Sequence, residues 1–343
     1  MPAAVWLDVP PAGWSDLLRD DPNATAAHRP ELWQALAATL PGHTARFAAL
    51  VTGEGLIGGA PAVIERRGGF RWVYSMPMVL PGAALARAGR HAEVDRTVAA
   101  ALAALRLDTR ALGGAWSLYR PHGPAPAPET LAALPGETRM LESGVIELAS
   151  GLEPAWRRVE RKTRQDIQSA RAGLRFAEDP GALEEAYALH AAQSRRWHGH
   201  APLPLELSRR LLAAGSGEHG APVARLFTVR DGRGLLSAGL VLDHRRETLV
   251  WWSGTHPEGR VSRSFAFLLW GIVEWAAGAG RERVNLGASP GLGPVADFKR
   301  SLGATPIAYA VRWFDASGAS PAGRLIATAQ RWRRRGRAIG TPA

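Results

Sequence analysis

Phe298 and Lys299 stand just beyond a Gly/Pro-rich stretch, residues 287–294, within the run NLGASPGLGPVADFKRSLGATP (285–306). Lysine is scarce in this chain: of 42 basic residues, only Lys162 and Lys299 are not arginine. An ammonium is a compact point charge that a fold can fix beside an oxyanion, and arginine's broad fork is not its equivalent. Aminolysis of an ester develops negative charge on the carbonyl oxygen, and a fixed cation there lowers the barrier. An aromatic face such as that of Phe298 holds a base by stacking. Gly287 and Gly291 let the backbone approach a ligand closely, and Arg300 adds a further charge beside them. The plainer alternative is a core phenylalanine followed by surface charges.

A second basic cluster, Arg161, Lys162 and Arg164, opens the segment RKTRQDIQSARAGLRF (161–176). The pattern predicts a helix running into Gly173, with Ile167 and Ala170 inward. An arginine fork on that helix can bind a phosphate bidentately; the alternative is a solvated basic face. Glu274, Glu282 and Asp297 are candidates for a general base only through their nearness in sequence. His190, His198 and His200 fit no closed metal site, so no metal and no cofactor is expected. Trp251, Trp252, Trp270 and Trp275 read as core residues rather than as a stacking platform.

The elements that must position these residues occur twice. Residues 45–73 and 224–252 align without a gap at an offset of 179, matching Gly53/Gly232, Gly55/Gly234, Arg67/Arg246 and Trp72/Trp251. Each copy reads as three antiparallel strands with a tight Gly turn, preceded by a helix (31–40 and 181–198). A helix (92–106 and 264–278) and a short strand (115–121 and 283–290) follow. The expected fold class is α+β, with two tandem domains, each a mainly antiparallel sheet flanked by helices. The expected boundaries are 1–150 and 151–320, with a basic helical tail at 321–343 packing back on the first domain.

This order of elements resembles the GNAT acyltransferase core. The tandem pair, the basic helix at 161–176 and the Phe298–Lys299 motif together resemble the FemAB family over residues 30–320. That resemblance implies transfer of an amino acid from aminoacyl-tRNA to an amine of a peptidoglycan precursor. It implies that Phe298 stacks on the terminal adenine of the tRNA and that Lys299 stabilises the reacting ester. It also implies that Arg164, flanked by Arg161 and Lys162, contacts the precursor's phosphates. The long helical-hairpin arm of many family members has no counterpart here. The acetyl-CoA signature Arg/Gln-x-x-Gly-x-Gly/Ala is also missing from HPEGRVSRSFAF (256–267). Arg260, Ser262, Arg263 and Ser264 still offer a basic helix start to a phosphate, or form a plain N-cap.

Composition bounds these readings. The net charge of +11 fits an anionic partner such as tRNA or an anionic inner-membrane surface, although a bias toward arginine codons gives the same excess. The absence of cysteine excludes thiol chemistry and disulfides. Neither a signal peptide nor a run of ~20 apolar residues is seen, so a cytoplasmic protein is expected, with at most peripheral membrane contact. Two other functions stay open: an N-acyltransferase using an acyl-CoA or acyl-carrier donor, and a non-catalytic binder.

Overall fold

The computed structural model describes residues 4–123, 126, 128–132, 134–195, 201–214, 222–289 and 292–315. Gly291, His198, His200 and the expected C-terminal helix and tail, 321–343, lie outside them. The chain begins with β1 (Val5–Leu7), α1 (Trp14–Asp20), α2 (Pro30–Thr39), β2 (His43–Thr52), β3 (Gly55–Arg67), β4 (Phe70–Ser75) and the short β5 (Leu85–Ala86). It continues with α3 (His91–Asp108), β6 (Gly113–Leu118), α4 (Pro128–Ala132) and β7 (Gly136–Glu147). Next come α5 (Leu152–Arg158), α6 (Arg161–Gly173), β8 (Arg175–Glu178), α7 (Leu183–Ser194) and α8 (Leu205–Ala213). The last elements are β9 (Ala224–Arg230), β10 (Leu235–Asp243), β11 (Glu247–Thr255), α9 (Pro257–Val261), α10 (Ser264–Gly278), β12 (Arg283–Ala288), α11 (Gly293–Ser301) and β13 (Thr305–Asp315).

Two compact units result. Of the described residues, the first comprises those within 4–23, 40–140 and 310–315; the second comprises those within 24–39 and 141–309. In the first, β1, β2, β3 and β4 pair antiparallel in that order. β6 then joins β4 in parallel, and the end of β13 pairs antiparallel with β6. The apolar face of α3 (Val94, Val98, Leu102, Leu105) covers this sheet against Ile57, Val73 and Trp116. In the second unit β8, β9, β10 and β11 are antiparallel. There β12 lies parallel to β11 and antiparallel to the end of β7. α10, with Phe267, Leu268, Trp270, Ile272 and Val273 buried, packs with Ile167 and Ala170 of α6 on that sheet. A crossover helix thus joins two parallel strands in each unit, as the repeat predicts.

Three details depart from the sequence reading. The boundary at 150/151 does not divide the units, because residues 143–147 of β7 hydrogen-bond to β12. The helix expected to open the first copy, α2, belongs to the second unit. Arg29, 1% exposed, anchors it by donating to the carbonyls of Pro222 (3.1 Å) and Asp243 (3.4 Å). The gapless repeat holds only for the first hairpin. Val51 pairs Leu56 and, 179 residues on, Arg230 pairs Leu235. In the second hairpin Val63 pairs Tyr74, but Leu242 pairs Leu249 rather than Ser253. The third strand is therefore four residues out of step, and Trp72 corresponds to Glu247 rather than Trp251.

Trp33 of α2 is fully buried, and its indole N–H donates to Ala27 C=O at 2.7 Å. Trp33→Ala is expected to cost about 3–5 kcal/mol, through lost burial and the cavity left behind. Urea unfolding measures this; a loss under about 1 kcal/mol, typical of surface sites, would show that α2 is not integral to the second unit.

Candidate active site

The parallel strands β11 and β12 are bonded only over Glu247–Leu249 and Arg283–Asn285. β11 runs on to Thr255 and β12 to Ala288, so beyond Leu249 and Asn285 the strands part. In the first unit, β4 stays paired to β6 through its last residue, Ser75. β4 has no overhang to line an opening, so the strand gap belongs to the second unit.

A buried polar chain fixes the closed end of the gap and shapes its mouth. Arg283 Nε donates to Glu247 at 2.9 Å, with both side chains fully buried. Glu247 also accepts from Asn285 Nδ2 at 3.2 Å. Asn285 Oδ1 in turn accepts from Ser143 Oγ (2.6 Å) and from the backbone N–H of Gly287 (2.8 Å). This bond from a side chain to a backbone two residues on is an Asx turn. It carries Gly287 to φ +77°, a conformation that favours glycine.

The turned backbone meets Lys299. Its Nζ lies 2.8 Å from Gly287 O, 3.4 Å from Ala288 O and 2.7 Å from Ser289 Oγ. The lysine stem crosses Gly144 of β7, where an added Cβ would stand 3.2 Å from Lys299 Cδ. Burial pushes the Lys299 ammonium down to about 8, because desolvation disfavours the charged form.

The other expected residues sit as follows. Phe298 is half-buried, stacked on Phe265 at 5.5 Å and packed against the core of its unit. Arg300 is exposed and ion-paired with Asp297. Arg161 and Lys162 are exposed at the start of α6. Arg164 Nη1 donates to the carbonyls of Val159 (2.6 Å), Arg157 (3.1 Å) and Trp156 (3.4 Å), and so caps the C-terminus of α5. The two basic motifs are joined through backbone, since Glu160 N–H donates to Ser301 C=O at 2.9 Å.

Each candidate general base is held by arginine: Glu274 by Arg171, Glu282 by Arg246 and Asp297 by Arg300. At the start of α10, Ser264 Oγ is buried against Ser237 Oγ (2.6 Å) and Gly259 O (3.0 Å). Arg263 pairs with Asp166. His190 Nδ1 donates to Ser253 O (3.0 Å), and the ring stacks on Trp252 and is held below the usual imidazole range by burial. Five site residues had no sequence signal strong enough to find them: Ser143, Gly144, Glu247, Arg283 and Asn285. The hydrogen bonds among these five join residues 36 to 142 positions apart. Ser289, by contrast, stood in view inside the Gly/Pro stretch.

Residues 155–300 match the acetyltransferase (GNAT) domain family. No curated protein matches the chain by sequence. Among solved structures it is similar to FemX, with TM-score 0.69 at 11% identity, covering 89% of this chain and 96% of that one. It is also similar to the C-terminal domain of a putative lysylphosphatidylglycerol synthetase from Agrobacterium fabrum, with TM-score 0.55 at 12% identity, covering 92% and 93%. A tandem GNAT protein from the clavulanic acid biosynthesis pathway gives TM-score 0.53 at 15% identity, covering 90% and 98%. The chain has a tandem GNAT-like α+β fold, and the resemblance to FemAB-type proteins is borne out at the level of that fold.

Asn285→Ala strips partners from Glu247, Ser143 and the Gly287 N–H. Leaving such buried groups unsatisfied is expected to cost about 2–4 kcal/mol, read by denaturant unfolding; an unchanged midpoint would refute the network. Lys299 gives a pH signature. Its folded-state value near 8 lies below the ordinary 10.5, so between these the unfolded chain binds more protons and stability rises with pH. Lys299→Met should therefore melt above the wild type near neutral pH, with the gap closing toward about pH 10. A gap that does not change with pH would show that Lys299 is not desolvated.

Proposed function

We propose that this chain is a non-ribosomal aminoacyltransferase. It moves an amino acid from the 3′ end of an aminoacyl-tRNA to an amine of a peptidoglycan precursor, nucleotide- or lipid-linked, in the cytoplasm. The observation that carries this reading is Lys299, desolvated at the mouth of the strand gap and held by a dedicated Asx turn. The fold shared with FemX supports aminoacyl transfer, as does likeness to a putative lysylphosphatidylglycerol synthetase.

In this reading the donor ester lies at the mouth of the gap beside the turn at 287–289. As the tetrahedral species forms, the carbonyl oxygen gains negative charge. The Lys299 ammonium meets that charge where little water competes, so its effect exceeds that of a surface lysine. Collapse of the tetrahedral species expels the 3′ hydroxyl and leaves an amide on the acceptor. Phe298 offers its uncovered surface to the terminal base, and Arg300 and Gly287 lie on the donor side. Arg161 and Lys162, exposed at the start of α6, face a precursor phosphate, with Arg164 bracing the helix junction behind them.

A second reading rests on the GNAT-domain match over 155–300: transfer from an acyl-CoA or acyl-carrier donor to a sugar or small amine. The missing Arg-x-x-Gly-x-Gly run and the Arg263–Asp166 pair at the start of α10 argue against a pyrophosphate there.

Lys299→Met should lower kcat by about a hundredfold or more with little change in KM, since losing one such contact costs ~3 kcal/mol in the transition state. Lys299→Arg should rescue only in part, and Phe298→Ala should weaken donor binding by about 1–3 kcal/mol. Steady-state kinetics with aminoacyl-tRNA and a precursor measures both. Binding of tRNA should weaken steeply with salt. Tight acetyl-CoA binding without tRNA binding would select the second reading, and near-normal turnover by Lys299→Met would remove the lysine from the reaction.

A further inference from the structure

Beyond Leu249 the free edge of β11 is met by side chains of α7. His190 Nδ1 lies 3.0 Å from Ser253 O, and Gln193 Oε1 accepts from the Thr255 N–H at 3.2 Å. Successive residues of a strand turn their backbone groups to opposite edges, so residues two apart share an edge. His256 N–H donates to Leu236 O of β10 at 2.8 Å. Ser253 and Thr255 therefore use the other edge, the one from which β12 has parted. The helix rests directly on the strand, since a Cβ at Gly254 would collide with the backbone of Leu189 and His190. His190 thus stands on one wall of the strand gap. Lys299, on the turn after β12, stands on the other.

The imidazole is fixed in orientation and in tautomer. Its ring stacks on Trp252 with centroids 4.9 Å apart. A carbonyl only accepts, so Nδ1 carries the proton directed at Ser253 O. In the neutral ring the lone pair is then on Nε2. Nε2 makes no hydrogen bond to any described residue, and the ring is half-buried. Burial holds the ring below the ordinary imidazole value of 6.5, so the neutral form persists at neutral pH.

The charged groups of the surrounding elements are engaged elsewhere. Glu184 of α7 and Glu206 of α8 pair with Arg209, and Glu206 also holds Arg210. Glu185 pairs with Arg230 of β9. Asp243 of β10 is held by Arg225 and Arg281, and Glu247 of β11 by Arg283. The carboxylates closest to Lys299 in sequence are likewise held by arginine.

We propose that His190 Nε2 is the general base that takes the proton of the acceptor amine. This rests on the reading of the chain as an enzyme that acylates an amine, and not on the identity of the donor. The nitrogen of the free amine bonds to the donor carbonyl carbon, and the carbonyl oxygen gains negative charge facing the Lys299 ammonium. The amine nitrogen becomes positive, and one of its protons passes to His190 Nε2. The donor C–O or C–S bond then breaks, and the leaving oxygen or sulfur takes the proton back from the imidazolium. The products are the amide and the free donor alcohol or thiol, with His190 neutral again and Lys299 charged throughout. The two walls thus divide the work: a cation for the oxyanion and a neutral base for the nucleophile.

The test follows transfer by the full chain to a precursor amine from about pH 5 to 9, with aminoacyl-tRNA and with acyl-CoA as donors. The acceptor's own titration gives a slope to log(kcat/KM) against pH. Below about 6.5 protonation of His190 should steepen that slope by about one. His190→Asn keeps an amide N–H for Ser253 O but has no base. It should lower kcat by about a hundredfold or more and remove the extra slope. Lys299→Met should lower kcat and keep the extra slope. Added imidazole should restore part of the rate to His190→Ala but none to His190→Asn, and thermal melts verify that each variant is folded. Independently of turnover, nitrogen-15 NMR of histidine-labelled protein at pH 7 should show His190 with Nδ1 protonated and Nε2 bare. The proposal is overturned by a proton on Nε2 in that spectrum, by near-normal kcat in His190→Asn, or by an extra slope that survives in it. Transfer from aminoacyl-tRNA that is indifferent to His190 would keep the functional reading and refute the base. Transfer from acyl-CoA alone, with the His190 effects present, would uphold the base and refute the donor.

Discussion

The Glu247–Arg283 ion pair is the constraint on which the candidate site depends. Both side chains are fully buried, and their residues are the first register pair of β11 and β12. Removing one partner of a buried pair leaves an uncompensated charge and typically costs about 3–5 kcal/mol. The pair therefore holds the two strands together at one end, while their hydrogen bonding stops two residues later. Only because one end is fixed can the other stand open without the strands separating altogether.

From that pair the polar order passes outward through Asn285 to the Gly287 turn and then to Lys299. Each link satisfies a group that burial would otherwise leave unpaired, and this keeps a polar interior tolerable in a low-dielectric setting. The same burial has a second effect at the end of the chain of contacts. It strips water from the lysine ammonium and pushes it down to about 8, so the charge it carries near neutral pH is little screened by solvent. Structural support and chemical reactivity therefore have one cause, the exclusion of water from the mouth of the gap.

The two units show how a repeated element order can yield unequal sites. In the first, β4 ends where its pairing with β6 ends. In the second, β11 outruns its pairing with β12 by six residues, Val250–Thr255. Since sheet register is set by turn length and strand length, the four-residue shift in the second hairpin is enough to change a closed seam into an opening.

Much of this was legible in the sequence. The helix 264–278 and the strands of both first hairpins follow from apolar periodicity and Gly turns, which are local properties. The Phe298–Lys299 pair could be singled out because lysine is so scarce among the basic residues. Other features left no local trace. β7 begins with the polar, exposed run Gly136–Arg139 and lacks the alternation that marks a strand, so the domain boundary was misplaced. The capture of α2 depends on Arg29 reaching carbonyls about 200 residues away in sequence. Arg164 reads as a phosphate ligand by its type, yet its surroundings make it a helix cap. The sequence by itself determined which elements form and which side chains are available for chemistry, because propensity and periodicity act over a few residues. Only the tertiary structure decided which strand pair opens, which arginines are already engaged and how dry the lysine is. Those outcomes depend on long-range pairing and on the water that packing excludes.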